Sequence, residues 1–286
     1  MIDIKPETRM VYWNETLRDT WIPRIERVSK AYHDTELATV LAGMRRVFVY
    51  HVRSDRFGQS YAFLRKNGLV FYPTNKSGIY QGFSHKHRPI EKGKPYMLYG
   101  AAVRADDEEA GELFTKYSTG GSTDHEGIGD LLGYPKCCQK FFKETWPNVS
   151  VDPIYEAALN TKGAREKIWD KSMQPILRSE KPILSVACHP FCNNMLRYFG
   201  IRITPHLTCS MQCEKTIAWG EEWFDIMKQV DEEAADWAKE LLSMPLTWNC
   251  YKGIVIIDTP LFRATSNSDT TMIKKIVENR GWGNER

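Results

Sequence analysis

The chain's capacity for chemistry is concentrated in sulfur. In "PHLTCSMQC" His206, Cys209 and Cys213 stand two and three residues apart. Cysteines at i and i+4 at a helix start present two sulfurs to one point, a grip suited to a soft metal, and His206 can reach the same point. Upstream, "GYPKCC" places Cys137 and Cys138 just after Pro135, a residue that fits the first turn of a helix. The backbone amides and the positive end of the helix dipole there favour anionic sulfur. Adjacent helical residues diverge by about 100°. The pair is therefore expected to supply one ligand, Cys138, and one neighbouring thiol, Cys137, free to assist chemistry. The expected metal set is Cys138, His206, Cys209 and Cys213.

The remaining cysteines read differently. In "ACHPFCNNMLRYF" Cys188, Cys192, Met195 and Phe199 recur at steps of four, three and four, the apolar stripe of a helix, so both thiols are expected in the core. Cys250 in "LTWNCYKG" reads as structural. None of these spacings is the two-residue knuckle of a zinc finger or ribbon. Irregularly spaced cysteines from separate loops suit an iron–sulfur cluster, with zinc the other option, so the expected cofactor is a [4Fe–4S] cluster or Zn. Three cysteine ligands would leave a metal position open for Lewis-acid or sulfur-transfer chemistry, the work of a metal-dependent lyase or transferase. His125 and Glu126, in the loop "STGGSTDHEG" before the paired cysteines, are the titratable residues expected to act as general acid or base. That loop lacks the Lys-Ser/Thr ending of a phosphate-binding P-loop, and neither HExxH nor a Ser-His-Asp signature occurs.

Composition narrows the setting. The chain has 286 residues and a net charge of +3, too small to imply a polyanion partner without a local patch. Seven cysteines, an odd and clustered number, read as ligands or catalytic thiols in a reducing compartment. No apolar stretch has the length of a membrane span, and "MIDIKPETRM" has no signal-like core, so a cytoplasmic protein without a membrane partner is expected. The basic segment "HKHRPIEKGK", near the aromatic residues Tyr61, Phe63, Phe71 and Tyr72, suggests phosphate contact plus stacking. The expected substrate is a nucleotide, a nucleic-acid base or another small anionic molecule. The alternative is a non-catalytic nucleic-acid-binding protein with a structural Zn site.

The elements that would position these residues are helical at both ends. "WNETLRDTWIPRIERVSKAY" reads as helix broken near Pro23, followed by a second helix capped by Asp34. "VFVYHV", "SYAFLRKNGLVFYP" and "PYMLYGAAV" read as a small antiparallel sheet with a hairpin at Asn67-Gly68. After the helix "RADDEEAGELFTKY", further helices are expected over Pro135–Phe142, over Cys188–Phe199, from Cys209 through Met227, over "DEEAADWAKELL", and over "SDTTMIKKIVENR" with Asp269 as cap. "GIVIIDTPLF" reads as one or two strands. The expected class is α+β, a small antiparallel sheet with helices in excess and a cysteine-rich helical C-terminal half. The expected domains are residues 1–120, an α+β unit, and 121–286, a metal-binding unit.

"LGYPKCC", "NNMLRYFGIRITPHLTCSMQC" and "WNCYKGIVIIDTPLF" together resemble a prokaryotic domain family of unknown function with GYPxCC and HxxCSxxC elements. The resemblance spans residues 125 to 265 and carries no reaction with it. It implies that Gly133, Tyr134, Pro135, Cys137, Cys138, His206, Cys209, Ser210 and Cys213 belong to one site, with Cys188 and His189 outside it.

Overall fold

The computed structural model describes residues 10–79, 89–119, 123–148, 150–167, 183–268 and 270–283. In chain order the elements are β1 (Met10–Trp13), α1 (Glu15–Leu41), β2 (Val47–Arg53), α2 (Phe57–Lys66), β3 (Leu69–Gly78), β4 (Tyr96–Arg104), α3 (Glu108–Thr119), α4 (His125–Leu131), α5 (Lys136–Thr145), α6 (Pro153–Leu159), β5 (Arg165–Lys167), β6 (Ile183–Val186), α7 (Glu214–Ser243), β7 (Leu246–Tyr251), β8 (Ile254–Asp258), β9 (Phe262–Asn267) and β10 (Lys275–Asn279). They form two compact units, one made of Met1–Tyr32 with Phe141–Arg286 and the other of His33–Lys140. The protein is α+β: it has the small antiparallel sheet expected and, in addition, a larger mixed sheet. Among the described residues no helix is long and apolar enough to cross a membrane.

In the unit His33–Lys140 the antiparallel sheet runs β2-β4-β3. Side chains alternate between its faces. Phe48, Val52, Phe71 and Ala102 pack on one side with Val40 of α1 and Leu64 of α2. Val47, Ala101 and Val103 pack on the other with Ala110 and Phe114 of α3 and with Leu131 and Leu132. The expected hairpin at Asn67-Gly68 is instead a helix ending: residues 57–66 are α2, the Asn67 N–H donates to the carbonyls of Phe63 and Leu64, and Gly68 takes φ +71°. The left-handed conformation that permits a tight hairpin also terminates a helix, and a fully buried Leu64 anchors the helical face.

The other unit is built on a seven-stranded sheet of order β1-β9-β8-β7-β10-β6-β5. All neighbours are antiparallel except β10 and β6, which pair in parallel with Val277 opposite Leu184. Its core holds fully buried Trp223, Trp248, Met195, Met211, Met227 and Leu241. The segment expected to close the chain as a helix contains β10, because Ile276 and Val277 are buried between two partner strands and tertiary pairing overrides local pattern. Asp269, its expected cap, lies outside the described residues.

Three other helix expectations change. The N-terminal helix is continuous from Glu15 to Leu41. Pro23 deprives the carbonyl of exposed Asp19 of its donor, where solvent can replace it. Asp34 sits inside this helix between buried Tyr32 and Thr35, so it is not at a helix start. Cys188–Phe199 is no α-helix but two short 3-10 turns, Pro190–Cys192 and Met195–Phe199. Asn193 separates them, its amide donating to the Leu242 carbonyl and its side-chain oxygen accepting from the Met195 N–H. The helix expected from Cys209 begins at Glu214 and joins the following one across a non-helical Asp231, whose carboxylate pairs with Arg27 and accepts from the Ala234 N–H.

Leu64 is the residue that fixes α2 to its sheet. Leu64→Ala should lower unfolding free energy in a urea titration by about 2–5 kcal/mol. A loss within about 0.5 kcal/mol would mean that α2 is not packed as described.

Candidate metal centre

The first cysteine pair is carried by a short, well-fastened corner. Gly133, at φ +69°, follows α4 and lets its N–H bond the Asp130 carbonyl while the Tyr134 N–H bonds that of Gly129. Pro135 then opens α5, its carbonyl accepting from the Cys138 and Gln139 N–H groups. Asp130 locks the corner from below, taking Lys136 Nζ at 2.6 Å and Gln139 Nε2 at 3.0 Å. Both bonds hold its carboxyl below the usual carboxylate range, the Lys136 bond most. The division between the two units falls after Lys140, within α5, and the helix runs on unbroken to Thr145.

The second pair sits in an irregular loop that is fixed by hydrogen bonds on all sides. The buried Thr161 hydroxyl accepts from the Met211 N–H at 2.9 Å, and the exposed Asn160 amide donates to the Cys209 carbonyl at 3.2 Å. The Met211 carbonyl accepts from the His189 N–H, and Gln212 Nε2 reaches the Ala187 carbonyl. Cys213 is the N-cap of α7, with its carbonyl accepting from the Ile217 N–H. Cys137, Cys138 and Cys213 thus belong to the starts of two helices, and Cys209 to the loop before the second.

The sulfur atoms of Cys137, Cys138, Cys209 and Cys213 all lie within 4.8 Å of one another. Cys138 and Cys213 are buried, Cys209 is half-buried and Cys137 is exposed. The group unites Cys138, Cys209 and Cys213 with Cys137 and does not include His206. Cys137 and Cys138 can both contribute because their sulfurs stand only 3.9 Å apart. Both residues lie in the first turn of α5, where side chains lean toward the N-terminus and can reach past the helix start.

His206 instead packs behind the loop. Its Nε2 lies 3.0 Å from the Thr216 hydroxyl and its ring stands edge-on to Trp219 at 5.2 Å. Burial pushes its pKa down to about 3, with the Cys213 sulfur opposing the shift. His125 and Glu126 lie exposed in the first turn of α4, where the Asp124 carboxylate caps the helix by accepting from the N–H groups of Glu126 and Gly127. Glu126 reaches Lys136 Nζ at 3.7 Å, one residue before the paired cysteines. Of the basic segment His85–Lys94, residues 85–88 lie outside the described residues.

The other three thiols are of another kind. Cys188 donates to the Met211 sulfur at 3.5 Å and Cys192 to the Cys213 carbonyl at 3.8 Å. Burial raises the Cys188 pKa well above the ordinary value and pushes Cys192 up to about 12. Cys250, beside Thr270 and within the field of Asp152, is pushed up to about 11, chiefly by burial. Comparison with known protein families, curated proteins and solved structures finds no match.

At pH 8 the thiols of Cys188, Cys192 and Cys250 are protonated and shielded, and thiolate is the reacting form. Iodoacetamide followed by peptide mass mapping should therefore leave these three unmodified in native protein and modify them in denatured protein. Their modification in the native state at rates like those of a free peptide thiol would contradict the burial described.

Proposed function

We propose that Cys137, Cys138, Cys209 and Cys213 hold one tetrahedral thiophilic ion, zinc, as a closed structural centre. The mutual approach of the four sulfurs supports this reading. Zinc–sulfur bonds of about 2.3 Å in a tetrahedron set sulfur–sulfur separations of about 3.8 Å. Sulfurs already within 4.8 Å of one another need only small side-chain rotations to meet that geometry. A [4Fe–4S] cubane gives each cysteine a different iron, so its sulfurs must stand around the cluster rather than around a point. The donor set fits as well: four thiolates, two of them buried, suit a soft or borderline ion, and two helix starts offer positive partial charge to a centre with excess negative charge.

A four-thiolate site leaves no open position, which favours a non-catalytic protein whose metal contributes folding energy. One observation favours the catalytic reading, a metal-dependent lyase or transferase acting on a nucleotide or other small anion. Cys137 is solvent-exposed. A ligand at the surface can exchange with substrate while Cys138, Cys209 and Cys213 keep the ion, and His125 and Glu126 are then the candidate proton carriers.

Metal analysis and an absorption spectrum of anaerobically purified protein decide the ion. One zinc per chain in a colourless protein is expected. Four irons with a brown colour would replace zinc by a cluster, and neither metal at stoichiometric level would remove the centre. Single substitutions separate the two uses. Cys138→Ser, Cys209→Ser and Cys213→Ser should each lose the metal and melt at lower temperature. A closed site predicts the same of Cys137→Ser, whereas full metal retention by that variant would favour an exchangeable ligand and the catalytic reading.

A further inference from the structure

The four sulfurs of the proposed zinc centre differ in their access to solvent. Cys137 is exposed and Cys209 half-buried, while Cys138 and Cys213 are buried. Zinc holds its thiol ligands as thiolate, the form of sulfur that attacks an oxidant. Cysteine oxidation follows thiolate character and exposure together, and it ends in a disulfide where a second sulfur stands close by. Cys137 meets all three conditions: it is a thiolate when metal-bound, it lies at the surface, and three other sulfurs stand within 4.8 Å of its own. Cys188, Cys192 and Cys250 are buried and lie outside the group, so they do not compete for the oxidant.

The backbone decides which neighbour Cys137 can bridge. Cys138 is the next residue, and Cα atoms joined by a trans peptide stand about 3.8 Å apart, short of the span of about 4.4 Å or more that a disulfide usually bridges. The Cys138 N–H also bonds the Pro135 carbonyl in the first turn of α5, so turning that peptide would break the turn. Cys213 is buried and caps α7, with its N–H on the Ser210 carbonyl and its own carbonyl accepting from the Ile217 N–H. Cys209 stands outside any helix, half-buried in the irregular loop before α7, where a shift of its sulfur breaks no helical hydrogen bond.

We propose that Cys137 is a peroxide-reactive thiolate whose oxidation ends in a Cys137–Cys209 disulfide and releases the ion, which makes the centre a reversible redox switch. The inference rests on the zinc reading. The Cys137 thiolate attacks one oxygen of hydrogen peroxide; an S–O bond forms, the O–O bond breaks, and the departing hydroxide takes a proton from solvent to become water. Sulfur loses the two electrons that peroxide gains, and Cys137 is left as sulfenic acid. The Cys209 thiolate then attacks that sulfur; an S–S bond forms, the S–O bond breaks, and the second hydroxide leaves as water with another proton from solvent. Two of the four thiolates are now in a disulfide, a poor ligand, and zinc dissociates. The test treats the zinc-loaded full chain with hydrogen peroxide, follows zinc with a chelating dye, and maps disulfides in non-reduced peptides. One zinc should appear per disulfide formed, Cys137–Cys209 should be the main bridge, and dithiothreitol with added zinc should restore the centre. Cys137→His, which keeps a zinc ligand but removes the exposed sulfur, should hold zinc and release it at least about tenfold more slowly. Zinc retained under peroxide, a main bridge between any other pair, or release from zinc-bearing Cys137→His as fast as from wild type would overturn the proposal. Should Cys137→His not hold zinc, the wild-type map decides alone. Absence of zinc before treatment defeats the metal reading and with it the release, a result distinct from the map, which still judges the bridge.

Discussion

Four thiol groups brought within 4.8 Å of one another are the constraint around which this protein is best understood. Ionised, they repel one another strongly at such distances, and a divalent ion among them converts that repulsion into attraction. Neutral and unmetallated, they are weak donors and weak acceptors with little to hold them together. The proposed zinc resolves this tension, and the two helix starts help by directing positive partial charge at the same place. The fold invests accordingly: Asp130 clamps the α5 corner, and Thr161, Asn160 and Gln212 fasten the loop that bears Cys209 and Cys213.

Within that frame the seven cysteines divide by environment rather than by spacing. Cys188, Cys192 and Cys250 are buried, which strongly disfavours thiolate, and none of the three belongs to the sulfur group. His206, although placed by sequence beside Cys209, is turned into the core against Thr216 and Trp219. A histidine held neutral by burial is a sound packing residue, and its hydrogen bond to Thr216 joins the loop to the first turn of α7.

Much of this was legible in the residues, and what was not has identifiable causes. Strands β2 and β4 followed from β-branched and aromatic runs, and Pro135 correctly marked the start of α5. Asn67-Gly68 misled because one left-handed glycine serves both hairpins and helix ends, and only the burial of Leu64 distinguishes them. The Cys188–Phe199 segment imitated a helix because its residues are nearly all buried, so any periodicity could be read into them. At the sulfur group, sequence brought Cys138, Cys209 and Cys213 forward and set Cys137 aside by a rotation argument that fixes the directions of the Cα–Cβ bonds but not where the sulfurs end, and these stand 3.9 Å apart. Convergence at a helix terminus depends on where the partner loop lies, which no local spacing encodes.

Whether one ion sits in a shell made of sulfur alone can be read from X-ray absorption at the zinc edge of the purified protein. A single shell of four sulfur scatterers at about 2.3 Å is expected. A mixed shell with nitrogen at about 2.0 Å would bring His206 into the coordination sphere and contradict the assignment of Cys137 as the fourth ligand.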